Sequence, residues 1–318
     1  MDNSIIQILI VGTGQLGSRH LQGILNQPIK AKIYLFDKNE DSIKIALDRA
    51  NEVFYDQKSI EIVILKSMNE IPKHLHFCII ATTVQPRFQI FKSLISNHSI
   101  DYFILEKLLF ADEVEYLSFN QLYSQQTNIF INCPRRMFKD YKKLKRKIGD
   151  EEIISISVDG HDWNLASNAI HFLDLIQFIT DSEINLDFGC RESLHLINGK
   201  REGSKELRGK IRGNCGKVSF EMTSSEIKKD LVICFNIRNG QSIILNETKG
   251  TVKYNLNHFS SENNFNLPYQ SELSGSIINQ LIENKQCDLP NLSNVYNLHK
   301  DYHSFLVKST DFSNFPFT

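Results

Sequence analysis

Two short stretches of this sequence carry side chains that are suited to proton transfer. Lys107 follows Glu106 in "ILEKLLF", where an apolar run ends, and His171 lies three positions before Asp174 in "AIHFLDL". A lysine or a histidine at a binding site can donate or accept the proton of a substrate hydroxyl as a general acid or base. Three positions are about one helical turn, so His171 and Asp174 leave the same face of a helix. A solvated lysine and a hydrogen-bonded core histidine are the structural alternatives.

The glycine-rich stretch "GTGQLG" follows an apolar run and opens a helical pattern, which predicts a phosphate-binding turn or, as the alternative, a turn without a ligand. The first glycine of such a motif allows a tight turn, the second lets the backbone approach a pyrophosphate, and the third allows close packing of helix and strand. The N–H groups and the dipole at the start of the helix then favour the phosphates. The residues predicted to contact a dinucleotide here are Gly12, Thr13, Gly14, Gln15, Leu16 and Gly17.

Polar residues at two other strand ends refine the cofactor prediction. Asp37 ends the strand pattern "KIYLFD", and a carboxylate there accepts hydrogen bonds from ribose hydroxyls and repels a 2′-phosphate, unless it only caps the next helix. NAD(H) is therefore preferred, although Lys38 beside Asp37 leaves NADP(H) as an allowed cofactor. Thr82 ends "HFCIIAT" and Thr83 follows it, so both lie under the nicotinamide half of the cofactor or cap the next helix.

The order of the elements predicts how these residues are positioned. Strand patterns cover residues 5–12, 31–37, 76–82, 101–107 and 128–132, and helical patterns cover residues 18–27, 39–54, 87–97 and 112–126. Continuous apolar strands that alternate with helices are typical of a doubly wound parallel sheet, in which ligands bind at the carboxyl ends of the strands. We therefore predict an α/β fold with an N-terminal, dinucleotide-binding Rossmann domain over residues 1–132.

The pattern changes in the second half of the chain. Helical patterns cover residues 135–148, 167–179, 271–284 and 292–309. Between 184 and 255, several strand-like runs are joined by turns, and Asn-Gly in "CFNIRNGQSIIL" predicts a hairpin. We predict a C-terminal α/β domain over residues 133–318, built on a large, open, mainly antiparallel sheet and responsible for substrate binding and oligomerisation.

The composition excludes several classes of protein. The 318 residues are 41% hydrophobic and 23% charged with a formal net charge of −1, so no overall charge favours nucleic acid or an anionic membrane. No apolar run reaches the roughly 20 residues of a membrane span, and the first residues lack the basic segment of a signal peptide. The six cysteines show neither a CxxC pair nor zinc-type spacing, which predicts free thiols, a cytoplasmic location and no bound metal.

Taken together, the motifs resemble those of the glucose–fructose oxidoreductase/inositol dehydrogenase (Gfo/Idh/MocA) family. The matching stretches are "GTGQLGSRH", "FD" at 36–37, "IIATT" at 79–83, "LEK" at 105–107, "INCPRR" at 131–136 and "IHFLD" at 170–174. They occur in the order of the family and across nearly the whole chain. The resemblance implies a Rossmann domain, a C-terminal α/β domain with an open antiparallel sheet, and NAD(P)-dependent oxidation or reduction of a sugar, cyclitol or sugar nucleotide.

The resemblance also implies roles for individual residues. Lys107 matches the catalytic lysine of the family's Glu-Lys-Pro motif, and Glu106 matches the acid beside it, which lies near the nicotinamide ribose. His171 matches a second catalytic residue, a partner or alternative acid/base that projects towards the cofactor domain. Asp174 matches the carboxylate that follows the histidine, to orient it or to contact substrate, and Arg136 matches a frequent arginine that we assign to substrate binding.

Two positions depart from the family pattern. Leu108 stands where the family has proline, so we expect a trans peptide bond after Lys107. Ser167 stands where many members have Asp or Asn, four residues before the histidine. Asn168, or Trp163 of the "HDW" stretch, is expected to take that place in substrate binding. Both departures favour a relative without activity as an alternative.

We predict hydride transfer between a nicotinamide cofactor and a small sugar substrate, with no nucleic-acid or membrane partner. Within the resemblance, "NLASNAIHFLDL" and "NGKREGSKELRGKI" (198–211) are similar to members linked to bacterial surface-sugar biosynthesis, which implies a nucleotide-activated or nonulosonic sugar. Relatives often pair through the exposed sheet face, so a homodimer or homotetramer is expected. The alternatives are a redox-neutral glycosidase with bound NAD, a dinucleotide-binding sensor or regulator without activity, and an interaction protein with a vestigial fold.

Overall fold

The computed structural model describes residues 5–53, 55–126, 128–149, 152–199, 203–256 and 259–310. The described residues group into two units, of which the first comprises Met1–Asn132 and Pro268–Asn294 and the second comprises Cys133–Leu267 and Val295–Thr318. The sequence pattern assigned Pro268–Asn294 to the second domain, whereas the structure places this segment in the first unit. Residues 200–202 of the stretch that resembles surface-sugar enzymes lie outside the described residues.

The first unit is built on a parallel sheet. Its strands are β1 (Ile6–Val11), β2 (Ala31–Phe36), β3 (Ile60–Ile64), β4 (His74–Ile80), β5 (Ser99–Leu105) and β6 (Ile129–Ile131). The helices between them are α1 (Gly17–Leu25), α2 (Glu40–Asn51), α3 (Val84–Asn97) and α4 (Glu113–Tyr123). Within the described residues the strand order is β3-β2-β1-β4-β5-β6, and every pairing is parallel. The predicted doubly wound sheet is confirmed, with β3 as a strand that the sequence pattern did not indicate.

The central strands are buried on both faces, which explains their continuous apolar sequence. Ile8, Leu9 and Ile10 of β1 are each 0% exposed. Strands of this kind belong in parallel sheets that helices cover on both sides. The strand order reverses between β1 and β4, and ligands of such sheets bind at the carboxyl ends of the strands beside that point. The turn after β1 and the loops after β4 and β5 therefore begin at the ligand-binding edge.

The second unit is built on a mixed, mainly antiparallel sheet. In chain order it contains α5 (Lys139–Ile148), β7 (Ile153–His161), α6 (Leu165–Thr180), β8 (Ile184–Leu186), β9 (His195–Asn198), β10 (Lys205–Cys215), β11 (Val218–Ser225), β12 (Val232–Ile237), β13 (Gln241–Asn246), β14 (Thr251–Leu256) and β15 (Phe259–Asn264). In the described part of the chain the order is β15-β14-β13-β12-β7-β11-β10-β8, with β9 paired to β10, and β7 and β11 alone pair in parallel. The predicted open, mainly antiparallel sheet is confirmed, and α7 (Gln270–Asn284) and α8 (Leu292–Thr310) follow it in the chain.

The hairpin between β12 and β13 forms at the Asn-Gly pair that the sequence indicated. Asn239 and Gly240 have positive φ angles of 63° and 73°. Asn-Gly turns adopt such angles because they match the twist of the two strands. Phe235 of β12 and Ile243 of β13 are 0% exposed and lie opposite each other, so they mark the core face of the sheet. Pairing of two copies through the other face stays a prediction.

Helix α7 explains why Pro268–Asn294 belongs to the first unit. It packs against α1, and glycines remove side-chain bulk from both helices at the contact. A Cβ on Gly23 would lie 2.9 Å from the Cβ of Ser274, and a Cβ on Gly275 would overlap the backbone oxygen of Gly23. Because α1 and α7 are far apart in the chain, no local pattern indicates that they touch.

Two further properties follow from the described residues. None of their helices has the length and the apolar character needed to cross a membrane. The six cysteines are free thiols, as the sequence predicted. Burial raises the pKa of five of them, so these thiols stay protonated at neutral pH.

Candidate active site

The glycine-rich turn has the geometry that its three glycines predict. Gly12 has a φ of +85°, and a Cβ there would lie 2.8 Å from the backbone nitrogen of Thr82. A Cβ on Gly17 would overlap the carbonyl oxygen of Gly12. Gly14 differs, because the nearest atom to a Cβ there is Ser42 Oγ, at 3.7 Å. Gly12 and Gly17 are therefore needed for the fold, whereas Gly14 leaves open space beside the turn.

The start of α1 offers backbone N–H groups to an anion. Leu16 precedes the helix and makes no side-chain capping bond, and the first turn contains no acidic residue. The N–H of Ser18 donates to Gly14 O at 3.0 Å, but no hydrogen bond within the described residues uses the N–H groups of Gln15 or Leu16. Unused N–H groups at the start of a helix bind phosphate oxygens.

Arg49 of α2 is bonded to this turn, and the sequence analysis missed it. Its Nη1 donates to the backbone oxygen of Gln15 at 2.7 Å and to Ser18 Oγ at 2.6 Å. Its Nη2 donates to the side-chain oxygen of Gln15. These bonds hold the carbonyl groups of the turn and so help to fix its N–H groups. An arginine inside an ordinary helical pattern gives no local signal for this role.

Asp37 lies directly after β2 and is held against the glycine-rich turn. Its Oδ2 accepts a hydrogen bond from the N–H of Thr13 at 2.7 Å, and its Oδ1 accepts one from the N–H of Asn39 at 2.9 Å. Asn39 caps α2 by accepting from the N–H of Asp41, so the alternative of Asp37 as the cap is wrong. The Asp37 carboxylate lies where the adenosine ribose of a dinucleotide binds in this kind of fold.

Thr82 and Thr83 follow β4 at the same edge of the sheet. Thr83 is the N-cap residue of α3, but its side chain makes no capping bond. The hydroxyl oxygen of Thr82 is buried and has no hydrogen-bond partner within the described residues. Because buried polar groups are nearly always paired, an unpaired hydroxyl marks a place where a ligand or water binds. Within the described residues neither threonine caps α3 through its side chain, and contact with the nicotinamide half of a cofactor stays a prediction.

Arg87 is a buried cation at this edge, and the sequence analysis missed it as well. It is 2% exposed, and its Nη1 donates to the carbonyl oxygens of Glu106 at 2.8 Å, of Leu109 at 3.4 Å and of Leu108. Its Nη2 donates to the carbonyl oxygen of Thr82. Burial lowers the pKa of Arg87 to about 10, although the Glu106 carboxylate opposes this shift. One guanidinium thus joins the loop after β4 to the loop that carries the predicted catalytic lysine.

The peptide bond between Lys107 and Leu108 is cis. With leucine in place of the family's proline, the sequence predicted a trans bond, and that prediction is wrong. The guanidinium of Arg87 donates hydrogen bonds to the carbonyl oxygens of Glu106 and Leu108, on both sides of the lysine, and so holds this loop in place. Lys107 is half-buried and lies two residues after the end of β5.

In the second unit, His171 and Asp174 both occupy α6, but their environments differ. His171 is half-buried, whereas Asp174 is 0% exposed. The Oδ2 of Asp174 accepts from Arg136 Nε at 2.9 Å, and its Oδ1 accepts from Arg136 Nη2 at 2.5 Å. The sequence predicted that Asp174 and Arg136 bind substrate. The structure shows that the two side chains form an ion pair with each other, and substrate contact by either residue stays a prediction.

Asn168 and Trp163 are also bonded within the second unit. The Nδ2 of Asn168 donates to the backbone oxygen of Trp163 at 2.8 Å. Trp163 is 8% exposed, its Nε1 donates to Thr223 O at 2.7 Å, and its ring packs edge-to-face against Phe172. Substrate binding by these two residues was predicted from the missing acid at position 167. Their bonds hold the segment that leads into α6, and substrate binding by either residue stays a prediction.

Glu206 of β10 is a buried carboxylate at the start of α6, and sequence reasoning did not single it out. It is 4% exposed, and its Oε2 accepts from the N–H groups of Ala166 at 2.9 Å and of Ser167 at 3.3 Å. The hydroxyl of Tyr302 donates to the carbonyl oxygen of Ala166 at 2.9 Å. A negative charge stabilises a helix N-terminus. These contacts therefore fix the first turn of the helix that carries His171.

We expect Asp174 to make stability depend on pH. Burial raises its pKa from the ordinary 3.8 to about 6, against the opposing effect of the Arg136 guanidinium. Between about pH 4 and pH 6 the folded protein therefore keeps the Asp174 proton, whereas the unfolded chain has lost it. The contribution of the protonated Asp174 to the free energy of unfolding is complete below about pH 4 and is lost as the pH rises through about 6.

Urea unfolding of the native protein and of Asp174→Asn, measured from about pH 4 to about pH 7, checks this expectation. The free energy of unfolding of the native protein, relative to that of the variant, should fall with rising pH. A difference that is constant over this range would contradict the raised pKa.

The residues at the ligand-binding edge of the first unit fit a dinucleotide. Space is open at Gly14, and the N–H group of Leu16 is unused within the described residues. The Asp37 carboxylate lies beside the turn, and the Thr82 hydroxyl lacks a partner among the described residues. The space at Gly14 and the N–H of Leu16 suit the pyrophosphate of such a ligand, Asp37 suits the adenosine ribose, and Thr82 suits the nicotinamide half.

The amino-acid sequence matches no protein-family model and no curated protein, whereas solved structures match over nearly the whole chain. An oxidoreductase from Agrobacterium radiobacter, in complex with NAD+, L-tartaric acid and magnesium, matches with a TM-score of 0.71 at 12% identity, covering 98% of this chain and 98% of that chain. UDP-N-acetylglucosamine 3-dehydrogenase from Acidithiobacillus ferrooxidans matches with a TM-score of 0.70 at 11% identity, covering 98% and 100%. Biliverdin reductase from Synechocystis sp. PCC 6803, in complex with biliverdin and NADP+, matches with a TM-score of 0.70 at 9% identity, covering 96% and 99%.

This chain has the fold of these oxidoreductases. The two-domain α/β architecture that the sequence predicted is thereby confirmed. The compounds named for the three proteins are a sugar nucleotide, biliverdin and L-tartaric acid. Because these differ widely in chemistry, the shared fold does not specify the substrate.

Proposed function

We propose that this protein is an NAD(P)-dependent oxidoreductase that transfers hydride to or from a secondary alcohol or ketone of a sugar, cyclitol or sugar nucleotide. The observation that carries the proposal is the open turn at Gly14, bounded by Asp37, on a sheet edge that also presents Lys107. The similarity of the fold to solved dehydrogenases supports it, and one of them is named for a sugar nucleotide. The finer proposal is a nucleotide-activated or nonulosonic sugar of bacterial surface-sugar biosynthesis, and it rests on the sequence resemblance alone.

NAD(H) is the proposed preferred cofactor. The Asp37 carboxylate accepts hydrogen bonds from ribose hydroxyls, whereas a 2′-phosphate in the same place meets a like charge. NADP(H) is still allowed, because Lys38 lies beside Asp37. Solved structures of this fold hold NAD+ in one case and NADP+ in another.

In the proposed reaction the protein binds the cofactor and moves one proton. The N–H groups of Gln15 and Leu16 bind the pyrophosphate, and Asp37 orients the adenosine ribose. When bound, the nicotinamide ring supplies or accepts the hydride. The Nζ of Lys107 gives a proton to the substrate oxygen during reduction and takes it back during oxidation. Arg87 fixes the loop that presents this lysine. His171, in the second unit, stays a predicted second acid/base group.

Titration of the purified protein with NADH and, separately, with NADPH tests the proposal first. Nicotinamide fluorescence or calorimetry should show the tighter binding with NADH. Tighter binding of NADPH would overturn the role of Asp37 and retain the oxidoreductase. Binding of neither would refute the proposed function.

A screen of sugar nucleotides and ulosonic acids with the preferred cofactor then tests the reaction, with Lys107→Ala as the control variant. Loss of a general acid/base should lower turnover by about 100-fold or more. Turnover without net change of the cofactor would identify a redox-neutral glycosidase instead. Cofactor binding without turnover of any of these compounds would favour the sensor or regulator.

A further inference from the structure

Among the described residues, five side chains of the first unit form a buried hydrogen-bonded cluster. They are His20 of α1, Glu106 after β5, Asn132 after β6, and Gln270 and Ser274 of α7. His20 is 0%, Ser274 1%, Asn132 2% and Glu106 3% exposed. Burial of polar groups costs free energy unless they are hydrogen-bonded. One member of this buried cluster, Glu106, is adjacent in the sequence to the predicted catalytic residue Lys107.

The two oxygens of Glu106 have different surroundings. Oε1 lies 2.9 Å from His20 Nε2 and accepts a hydrogen bond from Asn132 Nδ2 at 2.6 Å. No hydrogen bond within the described residues reaches Oε2. An ionised carboxylate accepts hydrogen bonds on both oxygens. The cluster therefore fixes the orientation of the carboxylate and leaves Oε2 for a ligand.

His20 couples this carboxylate to the phosphate-binding helix. It is the fourth residue of α1, which begins at Gly17 directly after the turn. Its other ring nitrogen, Nδ1, lies 2.9 Å from the hydroxyl oxygen of Ser274 on α7. Both ring nitrogens are therefore engaged, so the ring cannot rotate without losing a hydrogen bond. The start of α1 and the position of the Glu106 carboxylate are thus linked.

Hydrogen bonds join Ser274, His20 and Glu106 in the order serine, histidine and acid that a catalytic triad has. The Ser274 hydroxyl, however, is not accessible to a substrate. Its side chain is almost fully buried, and its hydroxyl donates to the backbone oxygen of Gln270 at 3.1 Å and accepts from Gln270 Nε2 at 3.1 Å. A nucleophile must reach the substrate. We therefore interpret the cluster as a positioning device.

We propose that His20 is a positioning residue for the cofactor. By holding Oε1 of Glu106 together with Asn132, it keeps Oε2 free to accept hydrogen bonds from the hydroxyls of the nicotinamide ribose. This inference rests on the proposed function and concerns the nicotinamide half alone. The adenosine and the pyrophosphate contact Asp37 and the glycine-rich turn instead. Loss of the bond between His20 and Glu106 therefore weakens NADH binding but not the binding of ADP, which lacks the nicotinamide ribose.

Two variants of His20 separate its two bonds. His20→Gln places an amide nitrogen where Nε2 lies and keeps a donor for Glu106, whereas His20→Asn keeps a polar group near Ser274 and loses the bond to Glu106. Calorimetric titration should give an NADH Kd about 10- to 100-fold above the native value for His20→Asn and within about threefold of it for His20→Gln. ADP should bind all three proteins with the same Kd to within about twofold.

Ser274→Ala is the matched control, because it removes one buried hydrogen bond of His20 and leaves the bond to Glu106. It should lower the midpoint of thermal unfolding as much as His20→Asn does, without loss of NADH affinity. If the His20 variants do not fold, Asn132→Ala removes the other donor to Oε1 and should weaken NADH binding selectively. Native NADH affinity in His20→Asn, or equal losses of NADH and ADP affinity, would overturn the inference. A native protein that does not bind NADH would refute the proposed function and this inference with it.

Discussion

Gly14→Val is expected to abolish measurable NADH binding in a protein that still folds. A Cβ at Gly14 meets no atom closer than Ser42 Oγ, at 3.7 Å, and its φ is not positive, so valine fits the fold. Its methyl groups would fill the space that a pyrophosphate must enter to reach the N–H groups of α1. We expect the Kd for NADH to rise by at least about 100-fold, which corresponds to about 3 kcal/mol.

Calorimetric titration with NADH and with ADP, combined with thermal unfolding, checks this result. Both ligands should lose affinity, because both carry the pyrophosphate, while the midpoint of unfolding stays within about 3 °C of the native value. Gly17→Ala is the matched control, since its Cβ would overlap the carbonyl oxygen of Gly12. That variant should lose stability as well as binding. Native affinity of Gly14→Val for NADH would show that the turn does not hold a pyrophosphate.

Arg87→Met is expected to lower the free energy of unfolding by about 4 kcal/mol. The guanidinium is buried and donates to the carbonyl oxygens of Thr82, Glu106, Leu108 and Leu109. Methionine fills much of the same volume but donates no hydrogen bond, so four carbonyl groups lose a donor. These groups lie in the loops after β4 and β5, and we therefore expect weaker NADH binding as well.

Urea unfolding followed by circular dichroism measures the effect on stability. Arg87→Lys keeps the charge with fewer donors and should fall between the native protein and Arg87→Met. Arg238→Met is the surface control, because the Arg238 side chain is 62% exposed in its ion pair with Glu152. Its free energy of unfolding should change by less than about 1 kcal/mol. If Arg87→Met lowered the free energy of unfolding by no more than Arg238→Met does, the proposed role of the buried guanidinium would be contradicted.

Short-range rules explain what the sequence revealed. Gly12 has a positive φ angle, and a Cβ on Gly17 would overlap the carbonyl oxygen of Gly12, five positions earlier. The strand before Asp37 could be predicted because its apolar residues are adjacent in the sequence. The turn at Asn239 and Gly240 depends on the φ angles of these two residues alone. In each case the cause lies within a few positions of the residue concerned.

Contacts between distant parts of the chain account for the side-chain partners that the sequence did not indicate. Arg136 lies 38 residues from Asp174, and no local pattern indicates that these two side chains pair. Arg87 binds the carbonyl groups on both sides of Lys107, 19 and 21 residues further along the chain. His20 and Ser274, whose side chains meet in the buried cluster, are 254 residues apart.

Local sequence patterns were sufficient to predict the parallel sheet, the glycine-rich turn and the acid after the second strand. They also placed the predicted catalytic lysine at a strand end, because apolar periodicity and glycine sterics act locally. Long-range packing set which partner each buried charged group has, and it joined Pro268–Asn294 to the first unit. A buried polar group takes whichever partner lies within hydrogen-bonding distance in space, and separation along the chain does not limit that choice.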